Sequence, residues 1–483
     1  MKGINYKRGR FLAIALALVL GTGALASAAS KDMVEHKLEL MAMNEGKMPA
    51  PPNGQMPPGP PPEGGMPGGQ PPEGGMPGGT DQTRNASELT AVCVVDGESQ
   101  ELEGVDYASS GTDESTLLVR GGGSLSLKGA SLSKKGDSSS ADASNFSGQN
   151  AVFLCADNSQ ATISNVTLES DADGANAVFS TGEKSVVTAE HIIIHTKNNS
   201  SRGLDATYGG TIKATDVNIT TEGAHCGALA TDRGEGNVLV DGAVLNTRGE
   251  GSPCIYSTGN IQLKNGKGEA TGSEMAVVEG KNSIDLENSA LTGHVKHGVM
   301  LYQSFSGDAG VGEAKFMAKD STLTNMSEGP MFYITNTTAA ANLARNKLVQ
   351  GGGSRILVKA AGDRWGNEGQ NGGVFTLNAV EQELEGDVMA DNISQVTLNL
   401  GEASTFKGTV NRDNQADRIA VNLSKEARWE MTADAYVTTI TDEDGTFSNI
   451  QSNGHNIYYD KSAENALEGK TIKLPGGGKL MPH

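Results

Sequence analysis

A phrase returns along this chain. AVFSTG occupies residues 177–182 and CIYSTG residues 254–259. The same order of chemical kinds recurs as QNAVFLC at 149, ANAVFST at 175, SRGLDAT at 201, HCGALAT at 225, SPCIYST at 252, EMAVVEG at 274, KHGVMLY at 296 and GPMFYIT at 329, with most starts 22 to 27 residues apart. A second motif follows the phrase in TISNVTLES, VTAEHIIIHT, IKATDVNITT, LVDGAVLNT, IDLENSALT and MAKDSTLTN. It places Asn165, His191, Asp216, Gly242, Asn288 or Asp320 at one corner, with apolar residues on either side. Asn, Asp and Gly tolerate the left-handed backbone that a sharp turn between strands demands. Short strands, turn residues in register and a period in the twenties point to an all-β chain wound as a single-stranded parallel β-helix. One rung cannot bury its apolar side alone, whereas stacked rungs share a continuous core.

The alignment predicts one inward column of Val152, Val178, Leu204, Ala228, Ile255, Val277, Val299 and Phe332, and a second of Leu168, Ile194, Ile219, Leu245, Leu291 and Leu323. Strand alternation then turns Phe153, Phe179, Asp205, Leu229, Tyr256, Val278, Met300 and Tyr333 outward. An exposed aromatic ladder with a rung spacing of about 4.8 Å suits the apolar faces of an extended sugar chain. Phe153, Phe179, Asp205, Tyr256, Met300 and Tyr333 are therefore the candidate ligand stripe. Cover by a loop, by the N-terminal segment or by a neighbouring molecule, or a slip of one in register, is the alternative. In the last third LEGDV at 384, FKGTV at 406 and WEMTA at 429 alternate with VTLNL at 396 and IAVNL at 419. These read as further rungs, so the β-helix is placed at 81–445 and a C-terminal cap and tail at 446–483.

Residues 1–29 carry Lys2, Lys7, Arg8 and Arg10, an apolar stretch from Phe11 to Leu20 and an AxA site at Ala26 and Ala28, the pattern of a secretory signal peptide. A short leader at 30–48 precedes a Pro/Gly-rich linker at 49–80, where twelve of the sixteen prolines lie. Such a stretch builds no core and reads as a spacer. The chain is expected to be secreted, extracellular or at the cell surface, and not membrane-spanning. A net charge of −20 repels phosphate backbones, so nucleic acid is not an expected partner.

The repeated phrases over roughly 110–440 resemble bacterial secreted right-handed parallel β-helix proteins of the pectate-lyase-like kind, especially adhesin-like surface proteins. The LxGxV and VxLNL phrases resemble autotransporter passenger rungs, although too little chain follows for a translocator barrel. The resemblance implies a non-catalytic, adhesin-like protein that binds polysaccharide or a cell-surface ligand. A polysaccharide lyase or glycoside hydrolase is the alternative, and a structural, self-associating surface protein a third.

For catalysis the sequence offers Asp205 and Asp232 with Arg202 and Arg233 near by repeat position. Lyases need a base and a cation to acidify the sugar, and hydrolases need two placed carboxylates. ESDADG and TDEDG supply partial oxygen-ligand loops, which makes Asp171 and Asp173 weak calcium candidates; no other cofactor is expected. HVKH and His225 beside Cys226 lack the further ligands a transition metal needs. Four cysteines in an exported chain permit two disulfides, Cys226 with Cys254 and Cys93 with Cys155, or four free thiols.

Overall fold

The computed structural model describes residues 85–463 and 466–483. The expected signal peptide, leader and linker at 1–29, 30–48 and 49–80 lie outside the described residues. The described chain is an all-β parallel solenoid of about sixteen turns. A front sheet of twelve strands begins at Thr90–Asp96 and ends at Asp387–Ala390. A sheet of twenty-one strands wraps the next two sides. Round the corner between them Thr211–Thr221, Asn237–Thr247 and Asn260–Ala270 run as unbroken strands. In the last rungs a four-strand sheet of Glu383–Glu385, Thr405–Gly408, Arg428–Met431 and Ile450–Gln451 takes up one side.

The corner is where the sequence spoke most directly. Asn165, His191, Asp216, Gly242, Asn288 and Asp320 all have φ between 48° and 79°. Asn265, Arg345, Glu381 and Ala403 continue that corner with φ of 50° to 54°. In Arg345 and Glu381 the left-handed turn is held with help from ion pairs: Arg345 binds Asp320 at 2.7 Å and Glu381 at 2.9 Å. The second inward column pairs as expected, Leu168 with Ile194, then Ile219, Leu245, Leu291 and Leu323. Between Leu245 and Leu291 stands Gly268. A Cβ there would meet Leu291 Cδ2 at 2.7 Å and Cys254 Sγ at 2.9 Å, so Cys254 fills the space a side chain would take.

The first inward column needs correction in three rungs. The ladder runs Leu117, Phe153, Val178, Leu204, Leu229, Ile255, Ala276, Val299 and Phe332. Phe153, Leu229 and Ala276 thus replace Val152, Ala228 and Val277. In a strand a slip of one residue exchanges the faces. Here the slip follows turns that enter the strand one residue earlier or later than the repeated phrase suggests.

An unforeseen helix, α1 (Ala141–Ser147), interrupts the early rungs. Ser140 caps it by accepting from the Ala143 amide, Asp142 stands in its first turn, and Gly148 ends it in the left-handed conformation. A hairpin of Ile472–Lys473 against Lys479–Pro482 supplies the sole antiparallel pairing among the described residues and covers part of the last rung. No helix among the described residues is long and apolar enough to cross a membrane.

Candidate functional site

The outer column of the front sheet is Leu154, Phe179, Asp205, Ala230, Tyr256, Val277, Met300 and Tyr333. Phe153 is not part of it; its ring lies in the core. Nor is the column an open aromatic ladder. Phe179 joins Leu89, Leu118, Ala151, Leu154 and Ala156 in a second apolar cluster, against which Ala86 packs. The C-cap Gly148 of α1 sits on the Phe179 ring, where a Cβ would come within 2.5 Å. Tyr333 is 6% exposed, stacked on His297 at 4.1 Å with its hydroxyl donating to Asp363 at 3.1 Å. Tyr256 and Met300 are half-buried. The outward stripe is thus largely roofed, because large apolar side chains on an outer sheet face remain costly until something covers them.

Beneath the roof three of the four residues nominated for acid–base work, Arg202, Asp205 and Asp232, come together as one charged cluster, and Arg233 stands beside it on a different partner. Arg202 holds Asp232 at 2.9 Å, approaches Asp205 at 3.7 Å, and donates to Asn145 of α1 at 2.7 Å. Arg233 donates to Asp308 at 2.7 and 2.9 Å and lies over the Phe146 ring of α1 at 3.8 Å. A second carboxylate knot adjoins. Glu279 accepts from Tyr256 at 2.6 Å, from Tyr302 at 2.9 Å and from the Ser304 hydroxyl. The two insertions, α1 and the loop at 303–312, are therefore pinned onto the sheet by these contacts and by Thr207, whose hydroxyl donates to the Phe146 carbonyl at 2.8 Å.

Burial sets the chemistry of this cluster. Arg202, Asp205 and Asp232 are 8%, 0% and 5% exposed. Loss of water pushes the Asp205 carboxyl up to about 6 and the Asp232 carboxyl up to about 7, against the pull of Arg202. Both Asp205 oxygens are buried without a hydrogen bond. Acids so shifted suit proton transfer, yet a polymer cannot touch carboxylates sealed to this degree. In the closed arrangement the cluster acts as a clamp.

The calcium candidates do not converge. Asp171 faces Lys197 at 3.4 Å. Asp173 accepts the Asn199 amide at 2.9 Å while its own amide donates to Asp137 at 2.9 Å, a carboxylate ladder that caps successive corners. Among the described residues no group of three or more His, Cys, Asp or Glu is arranged for a metal ion.

The four cysteines are free thiols. Cys93 aligns with Leu117, and Cys155 lies one rung further on, so about 9 to 10 Å of stacking separates them, beyond disulfide reach. Cys254 points into the core, whereas the Cys226 sulfur accepts the Ser201 amide at 3.1 Å. Burial pushes the thiols of Cys155 and Cys226 up to about 12 and 11, which leaves them inert packing groups.

An open site lies elsewhere, on the four-strand sheet of the last rungs. Leu384, Phe406 and Trp429 point inward. Alternation therefore turns the residues on either side of them outward, giving Glu383 and Glu385, Thr405 and Lys407, Arg428 and Glu430. With Lys347, Asn449 and Gln451 they line a groove of about 660 Å³ crossing successive rungs. Lys407 and Glu385 are paired across rungs at 3.7 Å.

On the adjoining side Asn342, Asn378, Asn399, Asn422 and Thr441 form one outward column. The amides of Asn378, Asn399 and Asn422 each donate to the side-chain oxygen of the Asn before them at 2.7 to 2.8 Å, and Thr441 closes the series on Asn422 at 2.6 Å. Each interior amide spends one N–H and one acceptor position along the ladder and keeps one of each for a partner. The signal for this site was present in the sequence as the charged or hydroxyl neighbours of each inward apolar residue in ELEG, TFKG and RWEM. No protein-family model and no curated protein matches this chain.

Proposed function

We propose that this is an exported, non-catalytic, adhesin-like β-solenoid that binds polysaccharide or a similar polyhydroxylated cell-surface polymer along its C-terminal rungs. The observation that carries this reading is the groove lined by Lys347, Glu383, Glu385, Lys407, Arg428 and Glu430 beside the asparagine column. Three cations, three carboxylates and a row of amides provide donors and acceptors at each rung, about 4.8 Å apart, close to the advance of a sugar unit in an extended chain. Charged pairs of both signs favour a polymer carrying hydroxyls with some charge over a purely apolar one. The N-terminal charge and apolar pattern of residues 1–29 supports export.

The test is retention of neutral and acidic polysaccharides by the full chain, with chromatography of the polymer afterwards. Lys407→Ala with Arg428→Ala should weaken retention at least tenfold without altering the polymer. Unchanged retention by that variant would remove the groove from the account.

A second reading, a polysaccharide lyase or hydrolase, draws support from the convergence of Arg202, Asp205 and Asp232. It requires the roof of α1 and the loop at 303–312 to lift. Shortened polymer that disappears with Asp205→Asn would establish it.

A further inference from the structure

We propose that copies of this chain stack head to tail, the first rung of one seated on the C-terminal face of the next. The two ends of the solenoid differ in a way that fits them to each other. At the first, the strands Thr90–Asp96, Ser99–Glu103 and Asp106–Ser109 pair on one side only, with the rung that follows. Among the described residues nothing pairs with their other edges, the kind of template on which a further strand adds.

The core also stops short there. Cys93, Leu102 and Tyr107 stand in the same inward columns as Leu117, Leu127 and Leu132, which are at most 1% exposed. Yet those three and Val105 remain only partly buried, and the neighbouring Val92 is 47% exposed. Nothing among the described residues stacks on them.

Charge selects the occupant. Within this rung Asp96, Glu98, Glu101, Glu103 and Asp106 stand without a Lys or Arg. Opposite charges face each other from rung to rung along the stack: the second rung already answers Asp96 with Arg120 at 2.9 Å and Glu103 with Lys128 at 3.8 Å, and further on Lys264 meets Glu287 at 2.9 Å and Arg345 meets Asp320 at 2.7 Å. A rung laid on the first one by the same rule brings cations to Glu101 and Asp106. The C-terminal face supplies them. Lys473 and Lys479 are exposed on the closing hairpin and Lys470 beside it, where it also meets Glu468 at 2.9 Å, with Ile472 half-buried against the core. There, too, Thr439–Asp442 and Ile450–Gln451 pair on one side only among the described residues. A head-to-head pair would set carboxylates against carboxylates. A head-to-tail contact is heterologous and leaves a free end each time, so it extends into an open series.

Sedimentation of the full chain over a range of concentrations, paired with amide exchange, tests this. The expected result is species at multiples of the monomer that shift toward monomer at about 0.5 M salt, where screening is strong. Amides of residues 90–109 and 439–451 should gain protection together as concentration rises. The Lys470→Glu, Lys473→Glu, Lys479→Glu chain should associate at least tenfold more weakly. Mixing it with a Glu98→Lys, Glu101→Lys, Asp106→Lys chain should restore a complex. A monomer at every concentration overturns the proposal. So does protection of residues 90–109 that ignores both concentration and the lysine substitutions, because another occupant then covers that edge.

Discussion

The early rungs and the last rungs use their outer faces in opposite ways. Around Phe179 and Asp205 the front sheet carries large apolar and charged side chains, and two insertions close over them. Around Lys407 and Asn399 the faces carry polar side chains that remain accessible to solvent, and no insertion among the described residues covers the groove. The difference follows from desolvation. Burying Arg202 with two carboxylates is tolerable only while the partners stay together, whereas the exposed pair Lys407–Glu385 gains and loses little. A sealed face stabilises the solenoid, and an open one is free to meet a partner.

Arg202→Met should give the largest effect. It strands Asp205 and Asp232 without a cation, and unfolding in denaturant should register a loss of about 3–5 kcal/mol. Amide exchange should quicken first in α1 and the loop at 303–312. A loss as small as that of Lys407→Met, expected below about 1 kcal/mol in the same assay, would erase the distinction between the two faces.

Next comes the pH dependence of the sealed side. The Asp205 and Asp232 carboxyls titrate near 6 and 7 in the folded chain, above their ordinary 3.8. The folded state therefore holds protons that the unfolded state has released over roughly pH 4 to 7. The stability that these protons confer is fully present below about pH 4 and is lost as pH rises through 6 to 7. Asp205→Asn, neutral throughout, should flatten that fall and raise stability at pH 7 by up to about 3 kcal/mol, one pKa unit being about 1.4 kcal/mol. A melting temperature as pH-dependent as that of the parent would contradict this reading of Asp205.

The smallest effect belongs to the amide column. Asn399→Leu breaks the bonds to Asn378 and Asn422. Water replaces them in part, so the cost in thermal unfolding should be about 0.5–1 kcal/mol. Retention of the polymer that binds the parent should nonetheless fall several-fold. Intact retention would confine the ligand to the charged groove.

The same contrast explains what was legible in the sequence. The corners were readable because Asn165, His191, Asp216 and Asp320 are residue types that advertise a left-handed turn. The corner continues through Arg345, Glu381 and Ala403, which carry no such mark and are held there by the stack. The second inward column was readable because each rung offers a Leu or Ile at fixed distance from that corner. The first was not in three rungs, since Val152–Phe153, Ala228–Leu229 and Ala276–Val277 are apolar pairs in which either member can face the core.

The approach of Arg202 to Asp205 and Asp232 was foreseen from repeat position. Cover of the outward stripe by a loop stood as the alternative to an open ladder; the part played by α1 was not foreseen, because that helix has no counterpart in other rungs. Of the two arrangements left open for the cysteines the structure has the free thiols; the sequence could not decide between them because spacing along the chain does not state how many rungs lie between Cys93 and Cys155. The groove went unread because its residues alternate with core residues inside phrases that already had a structural explanation.

Titrating one retained polysaccharide into the parent chain, into Lys407→Ala with Arg428→Ala and into Asp205→Asn, with the polymer's length measured before and after, tests the division of labour most directly. The parent and Asp205→Asn should bind alike, the groove variant should bind at least tenfold more weakly, and the polymer should keep its length in all three. Equal binding by the groove variant, or a polymer shortened by the parent and spared by Asp205→Asn, would contradict that division.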